Sequence, residues 1–332
     1  MRNTLFIVSL YLILSACGEK SNEVKFTSEG NPVVMDKFTS DPAPMVHNGR
    51  LYLYVGHDEA EEGQDFNITE WLCYSTKDMK TWTDHGSVLK PTDFSWGVGE
   101  AWASQVVEKD GKFYYYTTVQ AGAPYNSKVV GVAVSDSPTG PFIDARGTPL
   151  ITDDMTPNGP RGWWNDIDPT VFVDDDGRAY QFYSSENNAT MYISLLTDDY
   201  LKPSGRFTRN FVKESREAPA VFKYDGKYYM LSSGCTGWDP NVAEIAVADS
   251  IMGTWKTIGN PCTGPDADKT FYAQSTYVQP VIGKKDAYIA MFDRWKKKDL
   301  EDSRYVWLPV LIKDGKITIP WHEKWDFSIF DK

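Results

Sequence analysis

The chain has 332 residues, 41% hydrophobic and 24% charged, enough apolar material for one large domain or two ordinary ones and too much for a disordered chain. Its formal net charge of −12 argues against a nucleic-acid partner, since phosphate binding needs clustered Lys and Arg, and the one basic run, Lys296-Lys297-Lys298, runs on into Asp299, Glu301 and Asp302. Aromatics reach 14%, with 12 Trp, 19 Tyr and 16 Phe, more than a core calls for, so some rings are expected to lie outside it.

In chain order, Arg2 precedes the apolar run Leu5 to Leu14, too short for a membrane span and of the right length for a signal h-region. The run ends in Leu14-Ser15-Ala16-Cys17-Gly18, which resembles the bacterial lipoprotein cleavage box, so residues 1–16 are expected to be removed and Cys17 to be lipidated. Residues 17–30 then read as a polar tether, and 31–332 as the folded domain. The expected location is the bacterial cell envelope, with the lipid as the only membrane contact. Three cysteines remain, Cys73, Cys235 and Cys262; the last two are spaced so that a bond is allowed, and a free buried thiol is as good a reading for each.

From residue 44 onward one pattern recurs: an apolar run, an Asn/Asp-Gly turn, then an aromatic-rich strand. It appears around Asn48-Gly49, Asp110-Gly111, Asp176-Gly177 and Asp225-Gly226, with a weaker fifth copy around Gly283. Asn-Gly and Asp-Gly supply the positive φ that a two-residue hairpin requires. The spacing leaves room for two further strands per copy, and Cys73–Trp82, Val132–Phe142 and Ala246–Trp255 supply candidates. No stretch after residue 30 keeps a helical period. These features predict an all-β, five-bladed β-propeller.

In such a fold the first strand of each blade lines the central channel. Asp41 stands eight residues before Gly49, Asp168 nine before Gly177 and Glu217 nine before Gly226, each followed closely by proline. Proline suits the first residue of a strand, so the three acids are expected at strand entrances, facing the axis at matching registers. Gathering like charges at a channel costs stability unless function uses them.

Thr39-Ser40-Asp41-Pro42-Ala43-Pro44, Ile167-Asp168-Pro169-Thr170 running to Gly177, and Arg216-Glu217-Ala218-Pro219 leading to Tyr228–Gly234 resemble glycoside hydrolase family 43 over nearly the whole mature chain. The resemblance implies a five-bladed propeller that hydrolyses glycosidic bonds with inversion. It implies Asp41 as general base, Glu217 as general acid, and Asp168 as the group that positions the acid and raises its pKa. Inversion needs one ionised and one protonated carboxyl on opposite sides of the sugar.

Trp96, Trp102, Trp163 and Trp164 are candidates for a sugar platform near the mouth, Asn165 and Asp166 for hydroxyl binding, and Gln274 and Tyr277 enter the channel from blade five. Arg294 resembles a family arginine near the base. Many members carry a histidine where Gln274 stands, associated with a central metal or water cluster; no cofactor or catalytic metal is expected here, and a structural calcium is in doubt. By the same resemblance the substrate is plant polysaccharide or oligosaccharide, the chain acting as a monomer. Segment Ser233–Asn241 with Gln274–Val278 looks like the exo-β-1,3-galactanase branch, whose members typically lack the blade-one aspartate. Asp41 is present, so an exo-acting α-L-arabinofuranosidase or β-xylosidase is favoured, with galactanase/β-galactosidase, endo-xylanase or arabinanase, and a silent sugar-binding propeller as alternatives.

Overall fold

The computed structural model describes residues 24–27, 34, 37–61, 66–152, 166–237, 239–294 and 304–331, and in it the chain forms five small sheets set around one axis. Blade one contains β1 (Val24–Thr27), β2 (Phe38–His47), β3 (Arg50–Asp58), β4 (Ile68–Thr76) and β5 (Thr81–Leu89), with β1 added outside β5. Blade two is β6 (Gly97–Lys109), β7 (Lys112–Ala121), β8 (Lys128–Ser135) and β9 (Ile143–Asp144). Blade three is β10 (Asp166–Val173), β11 (Ala179–Ser185), β12 (Thr190–Leu196) and β13 (Pro203–Asn210); blade four is β14 (Arg216–Tyr224), β15 (Lys227–Gly234), β16 (Glu244–Ala248) and β17 (Lys256–Gly259). Blade five holds β18 (Cys262–Thr263), β19 (Gln274–Pro280), β20 (Tyr288–Arg294), β21 (Arg304–Lys313) and β22 (Lys316–Pro320), with β18 pairing parallel to β22.

One boundary shifts. β1 lies within the stretch read as a tether and pairs with β5, Phe26 opposite Trp82, so residues 24–27 belong to the propeller. Cys17 and the apolar run before it lie outside the described residues.

The hairpins follow from their turn residues. Asn48-Gly49, Asp110-Gly111 and Asp225-Gly226 all have positive φ at both positions, the geometry that matches the twist of the flanking strands. Blade three closes through a five-residue loop instead, in which Asp174 N–H donates to Arg178 O and Gly177 N–H to Asp174 O. In blade five a longer loop joins β19 to β20, and Asp314-Gly315 makes a further tight turn between β21 and β22.

The innermost strands are β2, β6, β10, β14 and β19, each packing on the next and β19 packing back on β2 to close the ring. Five apolar clusters fill the five junctions between blades. Trp71, Tyr54 and Tyr115 occupy the first junction, Tyr116 and Tyr183 the next, and Trp82, Tyr305 and Trp307 the last. The aromatic surplus is thus drawn on heavily for packing: a wedge-shaped gap between twisted sheets suits large rigid rings. Cys73, Cys235 and Cys262 are all free thiols, which resolves the question of a Cys235–Cys262 bond.

Candidate active site

Each innermost strand carries one extra residue at the same level. The pairing breaks between Ser40 and Ala43 in β2, Ala101 and Ser104 in β6, Ile167 and Thr170 in β10, Glu217 and Ala220 in β14, and Ser275 and Tyr277 in β19. A bulge of this kind bends the strand and re-aims a side chain. Five of them at one height turn a ring of side chains toward the axis. The extra residue leaves its N–H out of the ladder, which is where proline costs nothing, hence Pro42, Pro169 and Pro219. The acids therefore lie at or next to bulges near the starts of their strands, Asp41 fourth in β2, Asp168 third in β10 and Glu217 second in β14.

Asp41 and Asp168 occupy equivalent positions, two residues before the pairing resumes, with φ of 51° and 55°. Glu217 lies one residue earlier in its strand, and Ala218, with φ of 52°, takes the position of the aspartates. Counting back to the hairpin glycine hid this offset because the blade-three loop is longer. A left-handed conformation is strained for a residue with a Cβ, and such strain concentrates at working sites.

A pocket on the axis is lined by Asp41, Ser104, Asp168, Ala218, Gln274 and Thr276 among others. Asp168 Oδ2 accepts from Ala218 N–H at 3.0 Å, and its own N–H donates to Thr118 Oγ1 at 3.2 Å. Burial pushes its carboxyl up to about 6, against the pull of the Ala218 bond. Glu217 is 9% exposed. Its Oε1 accepts from Gln274 Nε2 at 2.9 Å and its Oε2 from Asn188 Nδ2 at 3.1 Å, while the Cys235 thiol donates to Asn188 O at 3.5 Å. Burial first, then the Asp168 charge, pushes Glu217 up to about 8, with Cys235, Gln274 and Arg216 pulling the other way. Asp41 is held well above the usual carboxylate range by burial and by the charges of Asp293, Asp168 and Glu217.

The other expected site residues divide. Gln274 lines the pocket, and besides Glu217 its Nε2 reaches Ser233 Oγ at 2.8 Å. Trp102 takes the bulge position of blade two, half-buried, with Lys128 Nζ 4.2 Å from its ring and Phe66 against it. Tyr277 is partly buried, bonds Gln105 and packs toward the core between blades five and one. Trp96 is corrected: it packs in the core between blades one and two, 4.8 Å from Phe94 and against Gly131, and no sugar can reach its face. Asp166 is likewise buried inside blade three, accepting from Ser185 Oγ at 2.7 Å. Arg294 ends β20 with its guanidinium donating to Phe271 O at 2.7 Å and lying 5.9 Å from the Trp321 ring. Trp163, Trp164 and Asn165 lie outside the described residues.

Sequence reasoning missed three groups. Asn188 ends a run, Glu186-Asn187-Asn188, with positive φ throughout, and Glu186 anchors that turn through Arg209, Tyr192 and Thr190. Cys235, which the sequence allows as a disulfide partner or a free buried thiol, is a free thiol whose Sγ donates to Asn188 O at 3.5 Å. Asp293 is fully buried on β20, opposite Gln274 in the pairing, and its Oδ2 accepts from Asp41 N–H at 2.7 Å. An acid inside the apolar strand Tyr288-Ile289-Ala290-Met291-Phe292 was the signal for it.

Residues 29–282 match the family model described as glycosyl hydrolases family 43. Among solved structures, a family 43 β-1,3-galactosidase crystallised with galactodeoxynojirimycin superimposes with a TM-score of 0.76 at 35% identity, covering 87% of this chain and 96% of that one. A xylosidase/arabinosidase of Humicola insolens is 36% identical over 46% of this chain and 45% of its own length. A xylosidase/arabinosidase of Bacteroides ovatus is 29% identical over 75% of this chain and 69% of its own. The chain thus spans under half of one of these curated relatives and about two thirds of the other.

Proposed function

Because the chain belongs to glycosyl hydrolases family 43, we propose that it is an inverting, exo-acting glycosidase that releases terminal galactose from β-1,3-linked galactans or their oligosaccharides. Glu217 is the general acid, Asp41 the general base, and Asp168 tunes and positions the acid. The observation that carries this is the placement of Glu217: its carboxyl is buried and held at both oxygens by Gln274 and Asn188, and burial with the Asp168 charge pushes it up to about 8, which keeps its proton at neutral pH. In the reaction, water attacks the anomeric carbon and loses a proton to Asp41. The glycosidic C–O bond breaks, and the leaving oxygen takes the proton of Glu217. Gln274 and Asn188, the latter held by the Cys235 thiol, fix where that proton points.

Galactose is supported by the likeness to the β-1,3-galactosidase along almost the whole of both chains, and by Gln274 bonding the acid from blade five. The presence of Asp41 pointed instead to arabinofuranosides or xylosides. That argument weakens because Asp41 is tied by its backbone N–H to the buried carboxyl of Asp293 and its own carboxyl is held well above the usual range, so its presence alone does not make an ordinary base. An arabinofuranosidase or β-xylosidase is the second reading, favoured by the Asp41 carboxyl itself and by the two curated relatives. The N-terminal segment extends the proposal: Cys17 carries lipid and holds the enzyme at the cell envelope, and Cys17→Ala would release it to the soluble fraction. Hydrolysis of β-1,3-galactobiose and of aryl β-galactoside, α-L-arabinofuranoside and β-xyloside tests the substrate. Turnover of the galactosides is expected, with that of β-1,3-galactobiose all but lost in Glu217→Gln; turnover of a pentoside alone selects the second reading, and turnover of none refutes both.

A further inference from the structure

We propose that Glu186 is a positioning residue for the general acid: it clamps the turn between β11 and β12 so that Asn188 meets Glu217 in the orientation that proton delivery needs. This rests on the reading of Glu217 as acid. In the turn, residues 186–189, Glu186, Asn187 and Asn188 all stand in the left-handed region, with φ of 56°, 58° and 62°. No glycine relieves it, so the conformation is strained and has to be held by its surroundings. Glu186 is 4% exposed, and its carboxylate takes four hydrogen bonds from three side chains. Arg209 from β13 donates Nε to Oε1 at 2.7 Å and Nη2 to Oε2 at 2.8 Å. The Tyr192 hydroxyl donates to Oε1 at 2.6 Å and the Thr190 hydroxyl to Oε2 at 2.8 Å, both from β12. A guanidinium forked onto a buried carboxylate fixes geometry as well as energy.

What the clamp holds reaches into the neighbouring blade. Asn188 Nδ2 donates to Glu217 Oε2 at 3.1 Å, Asn188 O accepts from the Cys235 thiol at 3.5 Å, and Ala189 O accepts from Ser215 N–H at 3.3 Å. These contacts run from blade three to blade four or to the segment that links them. Asn188 Oδ1 is buried with no hydrogen-bond partner among the described residues, so the carboxamide is bonded to the acid alone and the backbone of the turn sets where its plane lies. Gln274 approaches the other oxygen of Glu217 from blade five. With a donor at each oxygen the acid has little freedom, and a misplacement of about 1 Å in such an arrangement can cost about 100-fold in rate. Backbone strain persists only where the surroundings over-determine it, and it clusters at working sites. Glu186 supplies that hold two residues away from the group that touches the acid.

Glu186→Gln keeps the shape but loses the charge and turns an NH2 toward donors that it cannot bond. kcat and KM are measured on β-1,3-galactobiose, whose sugar aglycone needs the acid's proton, and on an activated aryl β-galactoside, which needs little. The expected loss is about 10-fold or more on the disaccharide, carried by kcat, and far smaller on the aryl substrate. Asn188→Ala is expected to show the same pattern, and the double variant to lose no more than Asn188→Ala alone, because Glu186 acts through Asn188. Tyr192→Phe, which deletes one of the four bonds, takes the same measurements if Glu186→Gln does not fold. An equal loss on both substrates, or losses that multiply in the double variant, would mean that Glu186 only holds blade three together, and overturns the proposal. Glu217→Gln, run beside them, separates the two readings. Selective loss there without it in Glu186→Gln refutes the clamp alone; equal loss in Glu217→Gln refutes the acid and the clamp with it. For a chain that cleaves only pentosides, a pentoside with a sugar aglycone and its activated aryl counterpart form the pair, since the clamp does not depend on the sugar.

Discussion

Replacing Glu217 with glutamine should all but abolish turnover of β-1,3-galactobiose and make the protein more stable at alkaline pH. In the folded protein the carboxyl is raised from 4.5 to about 8, chiefly by burial and then by Asp168. A raised acid contributes stability that is complete below pH 4.5, and this contribution is lost as pH climbs through about 8. At about 1.4 kcal/mol per pH unit, that rise corresponds to about 5 kcal/mol lost by pH 9, part of it belonging to the Asp168 pairing. Glutamine has the same shape, accepts through one oxygen and never ionises. For a chain of this size, 1 kcal/mol moves Tm by roughly 1.5–2 °C, so Glu217→Gln is expected to melt about 5 °C or more above wild type at pH 9 and close to it at pH 5. The assay is a pair of thermal melts across that range. An equal difference at both pH values would mean that Glu217 is already ionised at neutral pH, and the reasoning that makes it an acid catalyst would fail.

Asp168→Asn removes the charge that ranks second in raising Glu217, so the descending limb of the pH–rate profile should move toward acid by about one pH unit, with kcat/KM falling 10- to 100-fold. Gln274→Ala removes the donor on Glu217 Oε1; the acid loses its aim, and kcat should drop by about 10- to 100-fold, with the descending limb shifting upward because the lost bond favoured the ionised form. Trp96→Ala empties a site in the core between blades one and two and should cost about 3–5 kcal/mol in chemical denaturation, with kcat/KM per folded molecule unchanged; a raised KM instead would return Trp96 to the sugar site.

The blades were legible because their turns are dictated locally: Asn48-Gly49, Asp110-Gly111 and Asp225-Gly226 admit little but a tight hairpin, and their recurrence sets the period. What the glycine could not convey was the offset of Glu217, since the loop from Asp174 to Arg178 lengthens one blade and breaks the count. Trp96 and Trp102 look alike in sequence; Trp102 stands at a bulge with its ring half-buried against Lys128 and Phe66, whereas Trp96 is buried beneath Gly131. Asp293 escaped notice because its partner, Asp41, lies 252 residues away and meets it only when the ring closes. Short-range chemistry is written in short-range sequence, whereas a pair assembled by closure is visible only in the folded chain.

The central claim, that Glu217 delivers the proton to the leaving group, is tested most directly by the leaving-group dependence of Glu217→Gln. Galactosides whose phenol departs readily need little protonation, and those with an alkyl or sugar aglycone need it fully. The expected result is a loss of several hundredfold or more on β-1,3-galactobiose and a far smaller loss on the activated aryl galactoside. An equal loss on both substrates would contradict the assignment.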